Sequence, residues 1–301
     1  MSSRFSPSPF RSGPSGWRHP DWSRSVYPPK STAFHELDFL ASFFDTVEIP
    51  ASHQPLRPEL SALWTRKVSH NPNFRFTVQA PLALTHERRL EPGVVEAFAE
   101  GLRPLAAAKR LGCVVMQFPW AFRFTEENRE YFIQLRRALH AFPLVAEMRH
   151  ASWMRDEALG VFVDYHVGFV NVDQPQHMNA MPPTSFLTAP VAYVRMHGRG
   201  EAGDWFQKPG SRDYLYSTAE LAEWKQRMDR IRRLASETYV VFANHPGGKS
   251  VINALQMKTL VDGVASEAPK EWRRQFAREL RGYVEEVRQP SLLEVCGRAV
   301  A

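Results

Sequence analysis

Only two cysteines, Cys113 and Cys296, occur in this chain of 301 residues. That scarcity excludes a disulfide-built scaffold and makes a reducing cytoplasm the expected setting. No apolar run approaches the roughly 20 residues that a membrane-spanning helix needs, so no membrane partner is expected. The opening stretch MSSRFSPSPFRSGPSG lacks the apolar core of a secretory signal, and its Ser, Pro and Arg read as a disordered leader over residues 1–15. HExxH and CxxC motifs are missing, as is the GxSxG nucleophile elbow. Cys113 lies early in an apolar run and reads as core. Scattered Glu48, His53, Glu147, His150, Asp173 and His197 neither demand nor exclude a divalent ion. No metal site is assigned, and no cofactor is specified.

What is present describes a globular protein, with 44% hydrophobic and 23% charged residues. The net charge of +6 invites a nucleic-acid partner. Arg is interleaved with Asp and Glu in KQRMDRIRRL and WRRQFAREL, however, as on solvated helix faces. A small polar or anionic ligand is the favoured partner and nucleic acid the less favoured one; the composition specifies no oligomeric state.

Short apolar, β-branched runs recur along the chain, at 44–50, 74–81, 112–119, 144–150, 168–175, 191–198 and 238–245, with a weak eighth around SGWRHPDW near residue 15. Amphipathic helical patterns separate most of them, including GVVEAFAEGLRPLAAAKRL and TAELAEWKQRMDRIRRLA. Such alternation predicts parallel βαβ units, and near-continuous apolar strands fit a sheet covered on both faces. Eight units fit a single-domain α/β fold, a TIM-type (β/α)8 barrel over 16–265, better than the alternative of an open doubly wound sheet. The segment 266–301, containing EWRRQFARELRGYVEEV, is expected to be a C-terminal helical tail.

Most of the strands end on polar residues. Glu48, Gln79, Gln117, Glu147, Arg149, His150, Asp173, Arg195, His197 and Asn244 all stand at or just beyond a strand's carboxyl end. In this fold those ends share one face, where active sites lie. Residues at i and i+2 point the same way, so Glu147 pairs with Arg149 and Arg195 with His197. Burying so many ionisable groups is costly unless they pair or serve a ligand. Taken singly, each is an ordinary strand cap; together they predict a polar pocket.

GGKS at 247–250 nearly completes a phosphate loop, but Ala243 stands where the first Gly belongs. Lys249 and its neighbours read either as a phosphate site at a helix N-terminus or as a plain Gly-rich turn with a Ser cap. Trp17, Trp22, Tyr27, Trp153, Trp205, Tyr214 and Tyr216 read as core or as pocket walls, and the loop GRGEAGDWFQKPGSRDYLYS reads as a lid or a passive connection.

The motifs AEMRHASW (146–153) and YVRMHGR (193–199) occur in that order, with GW at 16–17, FDTVEI at 44–49, FRFTVQAP at 74–81, TH at 85–86, LGCVVMQFP at 111–119 and FANH at 242–245. With these stretches the chain resembles the domain of unknown function 72 (YecE-like) family from about Gly16 to Gly263. The resemblance implies a TIM barrel with a polar pocket at the strand ends and no established activity. It places shared polar positions on Glu48, Gln117, Glu147, Arg149, His150, Asp173, Arg195, His197, Arg199 and Asn244. Where the family usually has a Phe-Tyr pair this chain has His53-Gln54, and where it usually has Lys this chain has Gln79.

The expected function is action on a small polar, sugar-like or phosphorylated ligand at the carboxyl-end face. Glu48, Glu147, Asp173 and His197 are the catalytic candidates; Gln79, Gln117, Arg149, His150, Arg195, Arg199, Asn244 and Lys249 are the ligand-binding ones. Hydrolase, isomerase and lyase chemistry all fit, and the alternative is a non-catalytic barrel that binds a metabolite or nucleic acid.

Overall fold

The computed structural model describes residues 10–28, 34–200 and 213–285. Its sheet has eight parallel strands: β1 (Phe10–Pro14), β2 (Thr46–Ile49), β3 (Arg75–Gln79), β4 (Leu111–Gln117), β5 (Leu144–Glu147), β6 (Gly168–Asp173), β7 (Val191–Met196) and β8 (Glu237–Phe242). From β2 to β8 each strand pairs with the next, and β1 pairs with β8. A bridge between Ser15 and Glu48, in which Gly16 N–H donates to the Glu48 carbonyl at 2.8 Å, brings the β1 end against β2. The ring is therefore a nearly closed TIM-type barrel, as the alternating pattern predicts. Gly13 makes the close approach possible, since a Cβ there would lie 2.0 Å from the Thr46 carbonyl oxygen.

The helices are α1 (Trp22–Ser25), α2 (Glu36–Ala41), α3 (Pro58–Lys67), α4 (Leu82–Thr85), α5 (Pro92–Ala107), α6 (Glu126–Ala138), α7 (Asp156–Asp164), α8 (Thr218–Arg232), α9 (Lys249–Asp262) and α10 (Lys270–Gln275). Local chemistry sets their ends. Thr125 accepts the Asn128 N–H at the start of α6, with acids in the first turn and Arg136 and Arg137 in the last. Ser217 and Glu220 form a reciprocal capping box on α8. Trp153, Trp224 and Trp272 are buried where helices meet the barrel. Among the described residues no helix is long and apolar enough to cross a membrane.

Three features differ from expectation. β1 lies at Phe10–Pro14, inside the stretch expected to be leader, and the weak eighth strand was placed too late. Its sequence FRSGP has no apolar run; the edges of β8 and β2 make it a strand. α3 carries no strong sequence signal, because Pro55 and Pro58 make the run before it read as loop. The tail helix stops early: after Gln275, Phe276 leaves helical geometry at φ −117° and ψ 38°, and a Ser266–Val284 bridge turns the chain back. Trp272 and Leu280 still pack inward. The remainder of the expected leader (1–9) and tail (286–301, with Cys296), and the expected lid from 201 to 212 with Trp205, lie outside the described residues.

Candidate functional site

Strand parity divides the polar tips into two groups. In register, Glu48 lies beside Thr77, Gln117 beside Glu147, and Arg195 between Val172 and Val241. Alternation then turns Glu48, Gln79, Glu147, Arg195 and His197 into the barrel, and Asp173 and Asn244 toward the helix layer.

The inward group is one connected network. The Arg195 guanidinium spans it, donating through one terminal nitrogen to Glu48 Oε1 at 2.9 Å and through the other to Glu147 Oε2 at 2.8 Å. Glu48 Oε1 also accepts from Ser15 Oγ at 2.6 Å and Gln79 Nε2 at 2.7 Å, while its Oε2 accepts from the Tyr193 hydroxyl at 2.9 Å. Tyr193 is held in turn by Thr77 at 3.0 Å. Glu147 Oε1 accepts from Arg149 Nε at 2.9 Å and lies 3.0 Å from His197 Nε2. Glu48, Glu147 and His197 are fully buried.

Charge balance explains how this polar core persists. Two carboxylates face two guanidinia, and the imidazole stays neutral. Burial alone would raise the Glu147 acid, but Arg195, His197 and Arg149 more than offset it and hold the carboxyl well below its usual range. Burial pushes His197 down to about 3 against the pull of Glu147. Burial works against the Arg195 charge, yet Glu48 and Glu147 reverse that and raise it. Burial, followed by Glu48, raises the Tyr193 phenol, which remains a donor. The Arg195 fork, expected to grip an anionic ligand, grips two of the protein's own acids.

Asp173, expected as a catalytic acid, binds Arg199 Nε at 2.9 Å and Trp224 Nε1 at 2.8 Å, tying β6 and the segment after β7 to α8. Arg199 is shared with Glu220 and Glu223. Burial raises the Asp173 acid, and Arg199 offsets only part of that. Asn244 donates to the Tyr214 carbonyl at 2.8 Å and to Asn253 Oδ1 at 2.9 Å, which fastens α9.

The remaining candidates are dispersed. Gln117 donates to the Phe118 carbonyl at 2.9 Å beside the inner group. His150 caps the turn at 151–154. Lys249 pairs with Asp213 at 2.5 Å. Gly247 and Gly248 do adopt positive φ, but the Gly247 N–H already donates to the Asp21 carboxylate at 2.5 Å, so an internal acid sits where a phosphate was envisaged. Among the described residues no group of three or more His, Cys, Asp or Glu gathers as a metal cage.

Sequence reasoning missed Ser15 and Tyr193, which donate to Glu48, and Thr77, which holds Tyr193. For two of them the signal was there: Tyr193 stands two residues before Arg195 and Thr77 two before Gln79, so each shares its neighbour's face. It also missed His86, which burial and then Arg149 push down, with Glu147 opposing. Beside the inner network a cavity of about 330 Å³ opens between the ends of β1–β3 and helices α3 and α5. Trp17, Trp64, Leu60 and Phe98 are among its walls, Arg18 and Arg57 contribute charge, and Gln79 is its link to Glu48. Trp17 meets Trp64 edge-on, with ring centroids 5.0 Å apart.

Comparison with known proteins agrees with this architecture. The chain is 27% identical over 274 residues to the UPF0759 protein YunF of Bacillus subtilis (strain 168), covering 83% of this chain and 94% of that one. A crystal structure from Thermotoga maritima, described as a DUF72 family protein, superposes with a TM-score of 0.74 at 32% identity, over 84% of this chain and 99% of that one. One from Enterococcus faecalis V583, described in the same way, gives 0.74 at 26% identity over 87% and 98%. The family described as "Protein of unknown function DUF72" matches residues 11–275, and the chain belongs to that family.

Proposed function

We propose that the barrel binds a small polar, sugar-like or phosphorylated molecule at its carboxyl-end face, in the cavity beside β1–β3. One observation carries the reading: a largely apolar cavity of about 330 Å³ has a buried amide, Gln79, hydrogen-bonded to a buried carboxylate behind it. That volume lies at the small end of ligand pockets. Aromatic walls such as Trp17 and Trp64 suit the C–H face of a sugar ring. Gln79 gives one N–H to Glu48, and its second can point to a ligand oxygen. Exposed Arg18 and Arg57 are placed to meet an anionic substituent at the entrance.

The test is a thermal-shift screen of sugars and sugar phosphates against wild type, Gln79→Leu and Trp64→Ala. A true ligand at about 100 times its dissociation constant adds roughly 2.7 kcal/mol of stability. The expected result is a shift in wild type that both variants lose. A panel that leaves wild type unmoved, or a shift that survives in both variants, refutes the reading.

Acid–base turnover at the same place is a second reading, of hydrolase, isomerase or lyase type. It is favoured by the presence of Glu48, Glu147 and Arg195 where barrels of this kind ordinarily stack Val, Ile and Leu. Glu147 Oε1 lies 3.0 Å from His197 Nε2, a carboxylate–imidazole contact of the kind that acid–base chemistry uses. Glu147→Gln should abolish turnover of the stabilising ligand while keeping its thermal shift; unchanged turnover would remove this reading.

A further inference from the structure

Across the barrel end from the cavity, the segments after β4, β5 and β6 carry a cluster that neither acid network absorbs. Three basic side chains lie against the Trp120 indole. The Arg123 guanidinium carbon is 5.3 Å from the ring centroid, the His150 ring 5.1 Å and the His177 ring 5.8 Å. His150 is only 7% exposed. Its Nδ1 accepts the Ser152 N–H at 3.1 Å, which in a neutral imidazole leaves the proton on Nε2. That Nε2 is buried with no hydrogen-bond partner among the described residues. The charges acting on the ring, those of Arg123 and His177, are both basic, and burial acts with them to lower its pKa. The buried His150 Nε2–H is thus a donor with no acceptor opposite it among the described residues.

We propose that Trp120, Arg123, His150 and His177 form a phosphate-binding subsite, in which His150 Nε2–H and the Arg123 guanidinium donate to phosphate oxygens. A phosphate group satisfies the orphaned His150 donor and places its negative charge beside the Arg123 guanidinium. Its oxygens match a guanidinium fork, and such charge-assisted bonds are the strong ones. The indole face fixes where Arg123 sits. The subsite goes beyond the cavity reading and shares no residue with it.

The experiment is titration of the full chain with inorganic phosphate and, separately, glucose 6-phosphate, followed by imidazole NMR resonances and by calorimetry. His150 and His177 should shift saturably with a dissociation constant on the order of 1 mM or tighter. Arg123→Gln and His177→Gln each replace a side chain that is not fully buried, and retention of the wild-type thermal midpoint shows the fold intact. Each should weaken inorganic phosphate binding about tenfold, a loss of roughly 1.4 kcal/mol, whereas Gln79→Leu should leave the His150 and His177 shifts with inorganic phosphate unchanged. Tighter binding of glucose 6-phosphate identifies an organic phosphate as the source, and equal affinity identifies the free ion. The proposal is overturned if neither probe gives a saturable shift, if both surface variants bind like wild type, or if the response disappears in Gln79→Leu, which would put the anion in the cavity.

Discussion

Glu147 and Asp173 end neighbouring strands of one barrel and are both shut off from water, yet the fold manages their charges in opposite ways. Glu147 faces inward, where Arg195, Arg149 and His197 outweigh its burial and lower its pKa. Asp173 faces the helix layer, where burial wins and its pKa rises despite Arg199. Arg199 is 30% exposed and divides its attraction among Asp173, Glu220 and Glu223. Arg195 is 3% exposed and serves buried acids alone. At equal burial, the number of cations and their own desolvation decide which way an acid's pKa moves. Strand parity decides which acid receives them.

The severest way to break this comparison is Arg195→Met. It strands Glu48 and Glu147 as like charges in the barrel centre, and removing one partner of a buried ion pair costs about 3–5 kcal/mol. Urea unfolding should show a loss of at least that size. Adding Glu48→Gln and Glu147→Gln to the same chain should recover much of it, because the two stranded carboxylates are then gone. A triple variant as unstable as Arg195→Met would mean that lost packing, rather than stranded charge, sets the cost.

His197 sharpens the comparison through pH. Its folded-state pKa near 3 lies below the ordinary 6.5, so the unfolded chain takes up a proton that the native state refuses. Its contribution is therefore intact above about pH 6.5 and declines as pH falls toward 3, by up to a few kcal/mol. His197→Gln keeps a donor for Glu147 and should flatten the stability profile across that window. A variant profile parallel to wild type would show that His197 titrates normally in the fold.

Much of this was legible before any coordinates. Seven strands announced themselves because β-branched runs bounded by Pro and Gly have few other uses, and the i, i+2 rule placed Glu147 with Arg149 and Arg195 with His197 correctly. Parity also contained the warning about Asp173: it can share a face with Asn171 but not with Val172, and Val172 is the residue that lies beside Arg195. Using that warning required knowing the register between strands, which no single sequence supplies. β1 stayed hidden because FRSGP is a strand only by virtue of its neighbours. The cavity walls Leu60 and Trp64 stayed hidden because they belong to α3, whose proline-flanked run reads as loop. The Trp120 cluster unites three separate loop segments, and only the closed ring brings them together.

The smallest effect belongs to Asp173→Asn. Asparagine keeps an oxygen for the Trp224 N–H, and the partly exposed Arg199 retains Glu220 and water, so the expected cost is about 1 kcal/mol. The direction of its pH dependence tells more than its size. A raised folded-state pKa means that the Asp173 contribution is present below 3.8 and is lost as pH rises through the folded value. A lowered one means that the Glu147 contribution is present above 4.5 and is lost as pH falls toward its folded value. Relative to wild type, Asp173→Asn should therefore fare better as pH rises above about 4, while Glu147→Gln, made in parallel, should not gain and should be at its worst near neutrality. Unfolding curves in which both variants gain with rising pH would show that the two acids sit in equivalent electrostatic surroundings, whatever the count of cations around each.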